Sequence, residues 1–171
     1  MWRAGFVGLV VCFGSLGCRE ATRPANDSPR VVEAMNRGVG FMGQYLYDDA
    51  VTAFEAVLRD APDLTEARVN LAIARFNRNR KEDLEATGEQ LAEVLRREPG
   101  NLRALYFQAI VLQHVGKAAE AVTALTTVVQ ARPDDGAAWY MLGLCKQRLD
   151  QPAETEFQQA VRHRPYLYRG Y

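Results

Sequence analysis

The sequence lacks an excess of either charge, because 21 lysine and arginine residues balance 21 aspartate and glutamate residues. Proteins that bind nucleic acid usually carry a surplus of basic residues, which contact the phosphates. We therefore expect no nucleic acid among the partners of this chain. A charged fraction of 25% beside a hydrophobic fraction of 48% is typical of a globular domain.

Residues that support catalysis or metal binding are also scarce. The two histidines, His114 and His163, lie far apart and outside any motif with metal-ligand spacing. Serine is rare and never stands in a Gly-x-Ser-x-Gly motif. Gly38 and Gly40 follow no predicted strand, so they form no phosphate-binding loop. The sequence predicts a non-enzymatic protein without a cofactor, a metal site or a small-molecule substrate.

Three cysteines are too few for a disulfide framework in this chain. Cys12 lies in an apolar stretch near the start, and Cys18 ends that stretch. Cys145 then has no partner within the chain. Because it stands in the apolar phrase YMLGLC, we interpret it as a small core residue.

The first residues read as a secretory signal. Arg3 precedes an apolar run from Ala4 to Gly17, which is shorter than the roughly 20 residues of a membrane span. The phrase Ser15-Leu16-Gly17-Cys18 resembles the lipobox of bacterial lipoproteins. That resemblance implies a signal peptide over residues 1–17, cleavage before Cys18, and a lipid on the Cys18 thiol that anchors the protein to a membrane.

Residues 18–30 predict a flexible tether after the lipidated cysteine, because they are mostly polar, contain two prolines and lack apolar periodicity. We expect the protein at the bacterial cell envelope, with Arg19 favouring the outer membrane on its periplasmic side. Ordinary signal peptidase would cut at the same bond without lipidation. The alternative is therefore a soluble periplasmic or secreted protein.

A repeated phrase organises the rest of the chain. AVTAFEAVLRDAPD at 50–63 and AVTALTTVVQARPD at 121–134 agree at seven of fourteen positions. Pro62, Pro99, Pro133 and Pro165 each follow an apolar run with helical spacing, where a helix must end. No segment shows the alternation of a strand. The pattern predicts helices at 31–44, 47–60, 65–77, 83–97, 102–115, 118–131, 136–149 and 152–163.

The repeat divides residues 31–165 into four units, at about 31–64, 65–101, 102–135 and 136–165. Each unit holds two helices. One small residue per unit lets its first helix approach its second closely; these residues are Gly38, Ala72, Ala109 and Gly143. Residues 166–171 are either a tail or the start of a further helix.

Trp139, Leu142 and Gly143, followed by Ala153, Phe157 and Pro165, resemble the tetratricopeptide repeat pattern of W-x2-L-G-x2-Y, A-x3-F and P. The resemblance implies an all-α fold, an α-solenoid with a right-handed superhelical twist. It also implies a concave groove, lined by the first helices, that binds a peptide segment of a partner protein. By register, the partner-binding residues are Asn70, Arg103, Tyr106, Gln113, Tyr140, Gln147 and Arg148.

Two further features refine this expectation. Met35 and Phe107 stand where chaperone-binding repeats carry a lysine and an arginine, so the carboxylate clamp of those repeats is incomplete. The second unit holds three extra residues near NRNRKED, where basic residues are offset by acidic ones. We expect a lengthened, solvated loop at this point.

The sequence therefore predicts a lipid-anchored interaction scaffold at the bacterial envelope. An alternative follows from phrases such as ARVNLAIARFNR, which resemble the repeat segments that precede FG-GAP/UnbV-type propeller modules in some exported bacterial proteins. In that case the chain is the amino-terminal repeat module of a truncated larger protein.

Overall fold

The computed structural model describes residues 28–163, and this part of the chain folds into helices joined by short turns, without a strand. The helices are α1 (Pro29–Gly43), α2 (Tyr47–Asp60), α3 (Thr65–Arg78), α4 (Lys81–Arg97), α5 (Leu102–His114), α6 (Ala118–Ala131), α7 (Gly136–Gln147) and α8 (Glu154–His163). The predicted all-α solenoid is confirmed. The predicted signal peptide, Cys18, most of the tether and the tail after residue 165 lie outside the described residues.

Polar side chains mark the starts of three first helices. The Ser28 Oγ accepts a hydrogen bond from the Val31 amide at 3.3 Å. The Asn101 Oδ1 accepts one from the Ala104 amide at 3.0 Å, and Asp135 caps α7 in the same way. These acceptors satisfy amides that have no partner within the helix. The starts of these three helices are therefore determined by residues that lie next to them in the sequence.

Each first helix is followed by a turn residue in the left-handed conformation. Tyr45, Asn79, Gly116 and Asp150 have φ of 62°, 56°, 82° and 55° and occupy the same position of each unit. Glycine, asparagine and aspartate tolerate this conformation. Tyr45 is the exception, because a bulky residue there costs about 1–2 kcal/mol, and it is 77% exposed. The shared turn gives the units a common shape.

Within each unit, a large side chain of the second helix packs on the small residue of the first. Phe54, Leu91 and Leu125 are fully buried at this contact. A Cβ atom built on Gly38 would lie 2.5 Å from the Phe54 Cε1. One built on Gly143 would lie 2.7 Å from the Phe157 Cε1. These two glycines are therefore required by the packing itself.

The core runs from unit to unit. Val51 and Phe54 of the first unit pack with Leu71 and Ala74 of the second. Farther along the stack, Leu142 and Cys145 of α7 join the cluster around Leu125 of α6. Cys145 is completely buried, which confirms its interpretation as a core residue, and burial raises the pKa of its thiol. Each unit thus depends on its neighbours for its core.

The first helices lie on the inside of the curved stack. Helices α1 and α3, α3 and α5, and α5 and α7 contact each other, whereas the second helices of neighbouring units stand farther apart. A stack whose first helices are closer together than its second helices must be concave on the side of the first. We call this concave face of α1, α3, α5 and α7 the groove.

The second unit differs from the expectation. The turn between α3 and α4 holds only Asn79 and Arg80, so the predicted lengthened loop is wrong. The extra residues extend α4, which has 17 residues where α2 and α6 have 14. Glu82 and Asp83 stand in the first turn of α4, where acidic side chains stabilise the positive end of a helix. This favours an earlier helix start over a loop.

Two glycines of α1 provide a matched test of the packing. Gly38→Ala should lower the free energy of unfolding by about 1–3 kcal/mol, because its methyl group collides with Phe54. Gly40→Ala has open space around the new Cβ atom and should raise stability by about 0.5–1 kcal/mol. Urea unfolding followed by circular dichroism measures both. Equal stabilities of the two variants would contradict the described packing of α1 on α2.

Candidate functional site

The seven predicted binding residues differ in how far they reach solvent. Arg103, Gln147 and Arg148 are exposed, whereas Tyr106, Gln113 and Tyr140 are partly buried. Asn70 is only 5% exposed, because α3 lies between α1 and α5. Of the seven predicted residues, the ones that are exposed therefore lie on α5, on α7 or directly after α7.

Arg103 and Asn70 are brought together across two units. The Arg103 Nη2 donates a hydrogen bond to the Asn70 Oδ1 at 2.6 Å, which links α5 to α3. Partial desolvation lowers the pKa of Arg103, although the charge of Glu66 acts in the other direction. A guanidinium nevertheless stays protonated in proteins. The groove therefore contains a charged group that has lost part of its hydration.

Arg148 and Gln113 form a second link between units. The Arg148 Nη1 donates to the backbone carbonyl oxygen of Gln113 at 2.7 Å. The same carbonyl oxygen also accepts from the Gly116 amide at 3.2 Å, and it lies in the last turn of α5, where cations are favoured by the helix dipole. Arg148 itself follows the last residue of α7. It thus joins the carboxyl-terminal ends of two first helices.

Neither groove arginine forms an ion pair with any carboxylate in residues 28–163; each is held by a neutral oxygen instead. Several other arginines do have acidic partners. These pairs are Arg75–Glu55, Arg78–Asp83, Arg80–Asp48, Arg97–Glu93 and Arg132–Asp135. The two groove arginines therefore differ from these in having no carboxylate at ion-pair distance in the described part of the chain, although the charge of Glu66 acts on Arg103.

The two tyrosines take part in packing. The Tyr106 ring meets the Phe107 ring edge-on at a centroid distance of 5.4 Å. The Tyr140 ring lies 5.9 Å from the Phe157 ring of α8. Both side chains, which the register predicts to contact a partner, are partly buried. Because both rings pack against phenylalanines, replacing either tyrosine would also affect stability.

Gln147 lies apart from the Arg103 and Asn70 pair. It lines a cleft of about 710 Å³ between the end of α7 and the outer face of α8, together with Phe157 and Val161. The structure therefore brings Asn70 together with Arg103, and Gln113 together with Arg148. Gln147 instead lines the cleft beside α8.

Sequence reasoning missed two residues of the first unit. Val32 and Val39 of α1 are 47% and 54% exposed. Val32 has the register position of Arg103, since each precedes the small residue of its unit by six. Val39 has that of Ile110. Extending the register to the first unit would have found both, and they make this end of the groove apolar.

Other chemistry has little support in the described residues. Gly38, Gly40 and Gly43 have the spacing of a dinucleotide-binding loop, but all three lie within α1, where no loop opens for a phosphate. Between residues 28 and 163 no three side chains of the metal-ligating types converge. No helix in that part of the chain has the length and apolar character to cross a membrane.

The basic cluster of the second unit is neutralised internally. Arg78 donates to both carboxylate oxygens of Asp83, at 2.7 and 2.6 Å, and contacts Asp48 at 3.2 Å. Arg80 also binds Asp48, at 2.6 Å. The hydrogen bonds from Arg78 lower the pKa of Asp83. This network joins α2, α3 and α4, so we assign it a structural role.

Comparisons with known proteins agree with this architecture. Two family profiles, both described as tetratricopeptide repeat, match residues 36–86 and 81–145. Together they span more than half of the chain. A search of curated protein sequences found no match.

Several solved structures have a similar fold. MamA from Desulfovibrio magneticus RS-1 is 23% identical, with a TM-score of 0.69 over 81% of this chain and 77% of that one. A tetratricopeptide repeat protein from Parabacteroides merdae ATCC 43184 is 17% identical, with a TM-score of 0.65 over 81% of this chain and 55% of its own. The first tetratricopeptide domain of Spaghetti (RPAP3), bound to the HSP90 peptide SRMEEVD, is 18% identical, with a TM-score of 0.65 over 73% and 97%.

The Asp83 pair gives a pH-dependent prediction. Asp83→Asn should lower the free energy of unfolding near neutral pH by about 3 kcal/mol, because it breaks a buried ion pair. The folded-state pKa of Asp83 is lowered, so its contribution is present above the unfolded pKa of about 3.9 and is lost as pH falls through the folded pKa. Urea unfolding as a function of pH should show the two proteins converging below about pH 4.

Asp48→Asn is the matched control, because the Asp48 side chain is largely exposed and an exposed pair contributes less than about 1 kcal/mol. A constant difference between wild type and Asp83→Asn down to about pH 2 would contradict the assigned role of the pair.

Proposed function

The chain belongs to the tetratricopeptide repeat family, and from that premise we propose that it is a non-enzymatic scaffold that binds a peptide segment of a partner protein in the groove. The groove arginines carry this proposal. Arg103 and Arg148 are charged and accessible, and neither forms an ion pair in residues 28–163. Arginine beside tyrosine is also the composition of energetically important binding sites.

The similar fold of a peptide-bound domain supports the choice of ligand. The Spaghetti (RPAP3) domain is bound to a short peptide, and this chain shares that domain's helical-hairpin architecture. Its own groove combines apolar surface at α1 with cationic surface at α5 and α7. A peptide of a partner protein offers both kinds of contact along one segment.

We extend the proposal to the location of the protein. The lipobox-like phrase before Cys18 and the polar residues that follow support a lipid anchor on Cys18 and a flexible tether. The ten residues 18–27 precede Ser28, which caps α1. Ten fully extended residues reach roughly 33 Å, which would hold the solenoid clear of a membrane surface. In this proposal the scaffold stands at the bacterial cell envelope, on the periplasmic side of the outer membrane.

A second candidate follows from the outer face of α8. Val161 is 48% exposed, whereas Val129 at the same position of α6 is 3% exposed because α7 covers it. An apolar face of this kind favours contact with a further helix. This supports the alternative that the chain is the amino-terminal repeat module of a larger exported protein of the FG-GAP/UnbV propeller type. Sequencing the gene beyond the codon for Tyr171 tests it.

Binding in the groove is tested with variants that remove charge and keep a hydrogen-bond donor. Arg103→Gln/Arg148→Gln should lower affinity for the captured partner at least about tenfold, because arginine truncation at an interface typically costs about 1–2 kcal/mol or more. The measurement is a quantitative pull-down from envelope extracts. Arg59→Ala/Gln130→Ala, on exposed positions of the second helices, is the control. If only Arg59→Ala/Gln130→Ala lost the partner, the binding site would lie on the face of the second helices and not in the groove.

The anchor is tested at Cys18. Expressed in a bacterium, the wild type should fractionate with membranes, and Cys18→Ser should abolish lipidation and release the protein or block its processing. Mass spectrometry of the mature amino terminus reads the outcome directly. An unmodified Cys18 in the mature protein would overturn the lipoprotein proposal in favour of a soluble periplasmic or secreted form.

A further inference from the structure

The turn between α1 and α2 is built from residues that do not suit its backbone. Tyr45 has a φ of 62° at the position where the other units carry asparagine, glycine and aspartate, and a bulky side chain disfavours this conformation. Leu46 is the N-cap of α2 and offers the helix amides no side-chain acceptor, which serine, asparagine or aspartate would supply. Strain of this kind is retained in proteins mainly at functional sites.

The same two side chains are apolar and stand in solvent. Tyr45 is 77% exposed and Leu46 is 44% exposed. The Tyr45 ring meets the Tyr47 ring edge-on at a centroid distance of 6.3 Å. We call Tyr45 and Leu46 the tip. Because the tip costs stability and buries little surface within residues 28–163, its residues point to a contact outside this part of the chain.

The tip belongs to the more apolar of the two edges of the solenoid. Between residues 28 and 163, three of the six exposed large hydrophobic side chains, Tyr45, Leu46 and Val115, stand on turns that follow a first helix. None of the six stands on a turn that follows a second helix, and those turns carry acidic residues such as Asp63 and Asp134. We call the edge formed by the turns after first helices the turn edge.

The charges beside the tip are paired within the protein. Asp48 binds Arg80 at 2.6 Å, and Lys117, beside Val115, lies 3.6 Å from Glu120. The apolar side chains are therefore the feature that a ligand of the turn edge would recognise. A protruding tip of tyrosine and leucine fits a lipid surface, because tyrosine places its apolar ring and its hydroxyl at the level of the headgroups.

The length of the tether allows this contact. Helix α1 begins at the edge opposite the turn edge, and its 15 residues span about 22 Å. The ten residues between the proposed anchor at Cys18 and Ser28 reach roughly 33 Å when fully extended. The tether can therefore run the length of α1 and leave the turn edge against the same membrane.

We propose that the tip inserts into the headgroup region of the lipid surface to which the protein is anchored. The first helices would then stand upright on the membrane, and the groove would open sideways, where a partner can enter. Two side chains bury too little apolar area to hold a protein at a lipid surface by themselves. This inference therefore rests on the proposed anchor and adds the orientation of the solenoid.

Tryptophan quenching by brominated lipid tests the contact. The mature full-length protein is reconstituted in vesicles of brominated phosphatidylcholine, and its fluorescence is compared with that in unbrominated vesicles. Tyr45→Trp/Trp139→Phe should lose most of its emission. The wild type reports from Trp139, which bonds to the Pro133 carbonyl at the opposite edge, and should keep its emission. Val161→Trp/Trp139→Phe, an exposed apolar position on α8, should also keep it.

A second variant removes the tip and improves the turn. Tyr45→Asn/Leu46→Ser supplies a residue that tolerates the left-handed conformation and a side-chain cap for α2, so its urea midpoint should rise. Quenching of the reporter Val115→Trp/Trp139→Phe should decrease when this change is added. A lower midpoint would show that the tip serves the fold, and unchanged quenching would show that it does not hold the edge at the lipid. Either result contradicts the inference.

The remaining outcomes separate this inference from the proposed anchor. If Tyr45→Trp/Trp139→Phe is not quenched in protein whose Cys18 carries lipid by mass spectrometry, the inference fails and the anchor stands. Shielding from acrylamide without quenching by brominated lipid would assign the tip to a protein partner instead. Quenching that requires phosphatidylglycerol and disappears at high salt would assign the contact to basic side chains. An unmodified Cys18 would overturn the anchor and this inference together.

Discussion

The contact between one small residue on the first helix and one large residue on the second determines the rest of this structure. At Gly38 and Gly143 the space for a Cβ atom is already filled by a phenylalanine ring. That contact sets how closely the two helices of a unit approach. Because neighbouring units stack on the same surfaces, the helix spacing within a unit also sets the spacing between units. The core and the groove both follow from it.

The groove has its charge pattern because its helices are close together. Arg103 reaches Asn70, and Arg148 reaches the Gln113 carbonyl, only because first helices of neighbouring units contact each other. A neutral acceptor positions a guanidinium without cancelling its charge. The groove therefore keeps two ordered cations, a favourable starting point for binding since little side-chain entropy remains to be lost.

Arginines elsewhere in the chain have a different role. Arg78 is held by Asp83 and Asp48, and its charge is used within the protein to join α2, α3 and α4. Sequence alone does not separate the two cases, since Arg78 and Arg103 both stand in first helices. The difference comes from the neighbours, because acidic groups surround Arg78 and an amide faces Arg103.

The sequence by itself determined the helices, their order and the repeat. Prolines after apolar runs ended the second helices, and Ser28, Asn101 and Asp135 supplied local caps, so the bounds depend on residues only a few positions away. Glycine at 38 and 143 also indicated close approach. Such features are readable because they act within one turn or one repeat.

Only the tertiary structure decided which side chains meet. The bond from Arg103 to Asn70 spans 33 residues, and that from Arg148 to Gln113 spans 35. Whether Tyr140 faces solvent depends on Phe157 in another helix. These outcomes depend on distances between helices, which a local pattern does not contain.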